Sequence, residues 1–146
     1  MKQSKPKLHI STLAKKDRKD MTLKERQYLE KKHVQRCDNV FSKYIRLRDK
    51  CCVLCGSADN IQCSHLYTKK AHKSVRWDER NAYAMCASCH MKHHHIDQYQ
   101  YLEWVKDYLG DEYDLFKLKV YSTCILDIDD LIDIELYYAT KLEALA

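Results

Sequence analysis

Two Cys-x-x-Cys pairs, Cys52/Cys55 and Cys86/Cys89, enclose a thirty-residue insert, and this spacing constrains the chain more than any other feature. Each pair has the pattern of a knuckle, a tight turn that presents two thiolates from neighbouring backbone. Gly56 follows the first pair and can take the left-handed conformation such a turn favours. Four thiolates match the closed tetrahedral coordination of structural zinc. The two pairs must then meet, which ties the segments around them to a common centre. Scattered buried thiols are the plainer reading of cysteines in general, but they do not account for two pairs at one spacing. The chain has eight cysteines and no apolar leader, so reduced, metal-bound thiols in a cytosol are expected rather than disulfides.

Composition narrows the fold class. Two Gly and one Pro leave little turn chemistry, which disfavours long loops and a turn-rich all-β fold. The expectation is an α+β chain, mostly helical. With 32% charged residues and no run near the ~18 apolar residues that span a bilayer, no membrane partner is expected. The net charge of +5 conceals a gradient. Residues 1–50 hold 16 Lys/Arg against 6 Asp/Glu, residues 51–110 hold 7 against 6, and residues 111–146 hold 3 against 9. A basic arm beside a metal centre suggests a polyanion partner, most simply DNA, although a solvated surface would look the same.

Three regions are expected: a flexible basic arm over 1–21, a helix plus metal-bound core over 22–110, and an acidic helical extension over 111–146. Thr22-Leu-Lys-Glu25 is a capping-box signature, and the apolar period from Leu29 to Ile45 predicts a helix running to about Arg48. Short strands are predicted over 61–67 and 81–85. Between them lies a basic loop whose Lys69, Lys70, Lys73, Arg76 and Arg80 are candidates for DNA phosphate contacts. The period then predicts one helix from Cys86 to Leu109, stopped by Gly110. Further helices are predicted over 113–121 and 128–144. The apolar stripe of the last one could dock or pair subunits, giving a homodimer through C-terminal helices.

The insert carries the chemistry. His65 on the first strand, and His90 and His94 on the following helix, give the layout of a ββα-metal nuclease site. A neutral imidazole can take a proton from water at cellular pH, which makes His65 the candidate general base. His90 and His94 are four apart, so both rings point the same way and can hold one divalent cation. His93 lies about 60° off that face, and His95 points elsewhere. Asn81 could bond backbone across the loop and hold His65 in line. Trp77 is read as a plug under the loop rather than a base-stacking platform. Cys52, rather than the adjacent Cys51, is the expected ligand because of its spacing to Cys55.

Cys52–Cys55, Cys63-Ser-His65, Arg76-Trp-Asp-Glu-Arg-Asn81 and Cys86-Ala-Ser-Cys89-His90 together resemble the HNH endonuclease superfamily in its zinc-knuckle form. More narrowly, the run resembles phage HNH proteins of the NinG recombination type, over roughly residues 37–110. The resemblance implies a ββα-metal (HNH) core with four-cysteine zinc knuckles, flanked by a long N-terminal helix and C-terminal helices. It implies hydrolysis of DNA phosphodiesters, on structured or branched DNA, leaving 5′-phosphate and 3′-hydroxyl ends. His65 would be the base and Asn81 the middle Asn. His90 and His94 would hold Mg²⁺, Mn²⁺ or Zn²⁺, and a phage-encoded chain would act in the host cytoplasm. Two positions depart from the pattern. Ser64 stands where many members place a further metal ligand, and His90 stands where NinG-type proteins often have Asn. The rival reading is a non-catalytic, zinc-stabilised DNA-binding or adaptor protein that uses its histidines only for structure.

Overall fold

The computed structural model describes residues 18–146, so most of the expected basic arm, residues 1–17, lies outside the described residues. Its last residues form a short 3₁₀ turn, Arg18–Asp20, and Met21 is already buried against Leu29 and Ile128. The first helix, α1 (Leu23–Asp49), starts where the capping box puts it. Thr22 Oγ1 accepts from the Glu25 backbone N–H, and the Glu25 carboxylate accepts from Thr22 N–H. It ends at Lys50, which takes a left-handed backbone with φ 65°.

Two five-residue strands follow, β1 (Ile61–His65) and β2 (Ala82–Cys86), paired antiparallel so that Ile61 faces Cys86 and His65 faces Ala82. β2 is buried along its whole length, whereas β1 buries only Ser64. α1 covers the hairpin through Phe41, Tyr44 and Ile45, which pack on Ala82, while Val75, Tyr83 and Met85 join a second cluster with Tyr101, Val105 and Phe116.

After β2 the chain departs from the expected single helix. It makes α2 (Ala87–His95), turns over Ile96–Gln98, and restarts as α3 (Tyr99–Leu109). The physical reason is local. Asp97 Oδ1 accepts from the Tyr99 N–H, offering the backbone a turn in place of the helix ladder. Ile96 and Tyr99, which continue the apolar period in the sequence, are both exposed. The new direction sends Tyr101 and Val105 into the core. α4 (Glu112–Val120) and α5 (Ile128–Leu145) complete the chain.

α5 packs along α1 through Leu131, Ile134, Tyr138 and Leu142, so the stripe expected to serve another subunit is largely spent within the chain. Asp127 and Asp130 form a second capping box at its start. The segment between the strands is fastened from several sides. Tyr138 donates to Trp77 O, Lys141 pairs with Glu79, and Ser74 Oγ donates to Lys119 O at 2.7 Å. No helix among the described residues is long and apolar enough to cross a membrane.

Candidate functional site

The hairpin carries a different chemistry at each end. At the Cys86 end, the Sγ atoms of Cys52, Cys55, Cys86 and Cys89 all lie within 4.8 Å of one another. Cys52 and Cys55 come from the turn after α1, and Gly56 takes φ 78° there so that its N–H can donate to Cys52 O at 2.8 Å. Cys86 caps α2, its sulfur accepting from Cys89 N–H at 3.4 Å. The Cys55–Cys86 sulfur separation is 3.7 Å. A zinc–sulfur bond of about 2.3 Å gives a tetrahedron edge of about 3.8 Å. The four cysteines thus could hold a structural metal such as zinc, and Cys51 is outside the set, as its spacing predicts. Burial opposes ionisation of Cys52, yet the backbone N–H groups of Cys86, Cys55 and Leu54 outweigh it and lower the thiol to about 7. Burial and the neighbouring thiols push Cys89 up to about 12. Cys52 thus ionises more readily than Cys89, and binding a metal displaces the proton that Cys89 holds.

At the other end, His65, His90 and His94 line one open cleft of about 550 Å³, together with Asp38 and Ser42 of α1 and Lys69 and Lys70 of the insert. Alternation along β1 puts Cys63 on this side with His65. His65 Nε2–H donates to the Arg76 carbonyl at 2.9 Å. A carbonyl can only accept, so the proton sits on Nε2 and the lone pair is on Nδ1. Burial depresses this imidazole to about 4, so it is neutral at pH 7.

Asn81 does what the sequence suggested, bonding backbone on both sides of the insert. Its Oδ1 accepts from Tyr67 N–H at 2.8 Å, and its Nδ2 donates to Tyr67 O at 2.9 Å and Val75 O at 3.0 Å. Val75 adjoins Arg76, so Asn81 braces the segment that His65 leans on.

His90 and His94 stand side by side, their ring centroids 4.7 Å apart. His90 Nδ1–H donates to Gln62 Oε1 at 2.7 Å, which leaves Nε2 as the available ligand atom. Burial, with the charge of its neighbour, lowers His90, and burial with His95 lowers His94, so both favour the neutral form that binds metal. Among the described residues the four cysteines are the one group in which three or more ligand atoms converge, so the His90/His94 pair has no third protein ligand beside it.

Several residues weighed in the sequence, among them the candidate phosphate contacts Lys73, Arg76 and Arg80, lie elsewhere. His93 is buried on Tyr101, its ring edge-on at 4.4 Å, and does not line the cleft. Ser64 is fully buried with its hydroxyl unpartnered, on the opposite face of β1 from His65, so it is not a replacement metal ligand in the cleft. Arg76 and Arg80, proposed above for phosphate contacts, are committed internally. Arg76 Nη2 meets Asp38 at 2.7 Å and Arg80 Nη2 meets Asp78 at 2.8 Å. Lys73 faces a different groove, beside Cys124 and Leu131. Lys69 and Lys70 are the two basic candidates that reach the cleft, Lys69 also pairing with Asp38 at 3.3 Å. Trp77 is a plug, as expected, with its Nε1–H donating to Asp38 at 2.9 Å.

Sequence reasoning missed Asp38 and Gln62. Gln62 alternates away from His65 along the strand and had no motif to mark it. Asp38 left a faint signal, being an acid next to the buried Cys37 on a helix whose polar face is otherwise mostly basic.

The family model described as NinG, Bacteriophage Lambda NinG protein, matches residues 2–146. The likeness thus extends well beyond the 37–110 stretch that carries the motifs. No curated protein and no solved structure matches the chain.

Proposed function

Since the chain belongs to the NinG family of phage proteins, we propose that it is a metal-dependent HNH-type DNA endonuclease acting on structured or branched DNA in phage recombination. The observation that carries this reading is the shared cleft. His65, with its free Nδ1, faces the same solvent-open space as the adjacent His90 and His94.

Each residue then has a task. His65 Nδ1 takes the proton from the attacking water, while the Arg76 carbonyl holds Nε2–H and stabilises the imidazolium that forms. At about 4 the resting imidazole is neutral at pH 7, so its Nδ1 lone pair is free to accept the proton. His90 and His94 would hold a divalent cation, with water and phosphate oxygens filling its other positions. When bound, such an ion polarises the phosphate and stabilises the departing 3′ oxygen. Gln62 fixes the His90 ring for that role. Lys69 and Lys70 supply positive charge at the cleft. The sulfur centre holds structural zinc and takes no part in cleavage.

A non-catalytic, zinc-stabilised DNA-binding or adaptor protein is the second reading. It is favoured by the lack of a third protein ligand beside His90 and His94 among the described residues. The two readings separate on incubating purified, zinc-loaded protein with plasmid and branched DNA in Mg²⁺ or Mn²⁺. Cleavage that EDTA stops supports the nuclease, and binding without cleavage under any ion supports the adaptor. In either case affinity should fall steeply with salt, because counterion release dominates phosphate binding.

A further inference from the structure

The Asp38 carboxylate, on α1, receives four hydrogen bonds from three residues of the insert. Oδ1 accepts from Arg76 Nε at 3.0 Å and from Trp77 Nε1 at 2.9 Å. Oδ2 accepts from Arg76 Nη2 at 2.7 Å and from Lys69 Nζ at 3.3 Å. Four donors on two oxygens leave no coordination site for an ion, so Asp38 acts as a fastener although it lines the cleft.

What it fastens is one particular peptide group. Arg76 and Trp77 are the two residues that flank the Arg76 carbonyl, and both side chains end on the same carboxylate. That carbonyl is the acceptor of His65 Nε2–H. Arg76 belongs to neither strand, and Asn81 on Val75 O and Tyr138 on Trp77 O hold the peptide groups on either side of the Arg76–Trp77 peptide. Lys69 is drawn to the same point four residues after His65, so both ends of the insert are referenced to α1.

We propose that Asp38 is a positioning residue for the general base: it sets the Arg76–Trp77 peptide so that His65 carries its proton on Nε2 and presents Nδ1 to the cleft. This rests on the reading of His65 as base, and it assigns the first helix a part in the site. It also gives Arg76 a role different from contacting phosphate. The arginine is the fork that transmits the position of α1 to the carbonyl, a bidentate geometry that lysine cannot reproduce.

The test uses the full-length, zinc-loaded protein and reads two quantities. Long-range ¹H–¹⁵N spectra of the imidazoles report the His65 tautomer, the His65→Ala spectrum supplying the assignment, and cleavage kinetics report kcat and KM. Wild type should show His65 as a single Nε2–H tautomer. Asp38→Asn should move at least about tenfold more of the population to Nδ1–H and lower kcat about tenfold with KM within about twofold. Asp38→Glu should restore part of both. Arg76→Lys, which keeps the charge and loses the fork, should shift the tautomer in the same direction and stands in if Asp38→Asn does not fold. A folded variant that breaks the Asp38–Arg76 fork and leaves the His65 tautomer unchanged would overturn the assignment. Wild-type protein that cleaves no DNA would instead refute the nuclease reading, while the tautomer comparison still decides the role of Asp38.

Discussion

The sulfur centre closes the Cys86 end of a hairpin of two five-residue strands, the histidine cleft runs from α2 to its His65 end, and the two are finished to different degrees. At the Cys86 end four ligand atoms already converge within 4.8 Å, each sulfur brought there by knuckle turns or a helix cap. At the His65 end two imidazoles meet in an open space and the third stands apart, hydrogen-bonded to the Arg76 carbonyl. α2 connects the two, with Cys89 in its first turn and His94 near its last. A closed set of ligands serves to hold a scaffold, whereas an incomplete set leaves room for substrate. The first should govern whether the chain folds, and the second only what the folded chain does.

The largest expected effect breaks that comparison most directly. Structural zinc contributes on the order of 10 kcal/mol or more to small metal domains, comparable to the whole stability of a typical domain. Cys86→Ser should therefore abolish the cooperative thermal transition and the bound zinc, measured by circular dichroism and metal analysis. A variant melting like wild type would show the sulfur centre to be dispensable. Next comes His65→Ala, which should slow DNA cleavage by ~10²–10⁴-fold while leaving the melting curve and zinc content unchanged. A wild-type rate would remove the base from His65. Gln62→Ala sharpens the contrast further. Losing the partner of a metal-binding His should raise the divalent-ion concentration for half-maximal activity by ~10–100-fold without loss of zinc.

The smallest effect concerns the segment that joins the two strands. Arg80 and Lys119 overcome the burial of Asp78 and hold its carboxyl down at about 2, below its ordinary 3.8. A depressed carboxylate contributes stability that is fully present above pH ~4 and is lost as pH falls toward 2. Asp78→Asn should thus cost about 2 kcal/mol at pH 7, and urea titrations should find wild type and variant converging below pH 4. A gap that stays constant down to pH 2 would assign the loss to packing.

The parts legible in the sequence were those written in local chemistry. The Thr22–Glu25 capping box, the knuckle spacing, Gly56 and the His90/His94 step each depend on residues a few positions apart, and the structure has them where the pattern puts them. What could not be read depends on partners distant in the chain. Asp38 meets Arg76 across 38 positions, so no local motif marks the acid and the arginine reads as a free phosphate contact. The break at Ile96–Gln98 was hidden because an apolar period continues through residues that the fold leaves exposed. His93 shows the converse, a residue close to the ligand face that tertiary packing turned into core against Tyr101.

The central claim is that one protein holds a structural ion and, beside it, a cleft that cuts DNA when a second ion is supplied. The direct measurement is cleavage of branched and plasmid DNA by protein carrying one zinc per chain, titrated with Mg²⁺ and Mn²⁺, for wild type and His65→Ala side by side. The account predicts cleavage that rises with added ion in wild type and nearly disappears in the variant, at unchanged zinc content. Equal rates in both proteins, or no cleavage at any ion concentration by fully folded wild type, would contradict it.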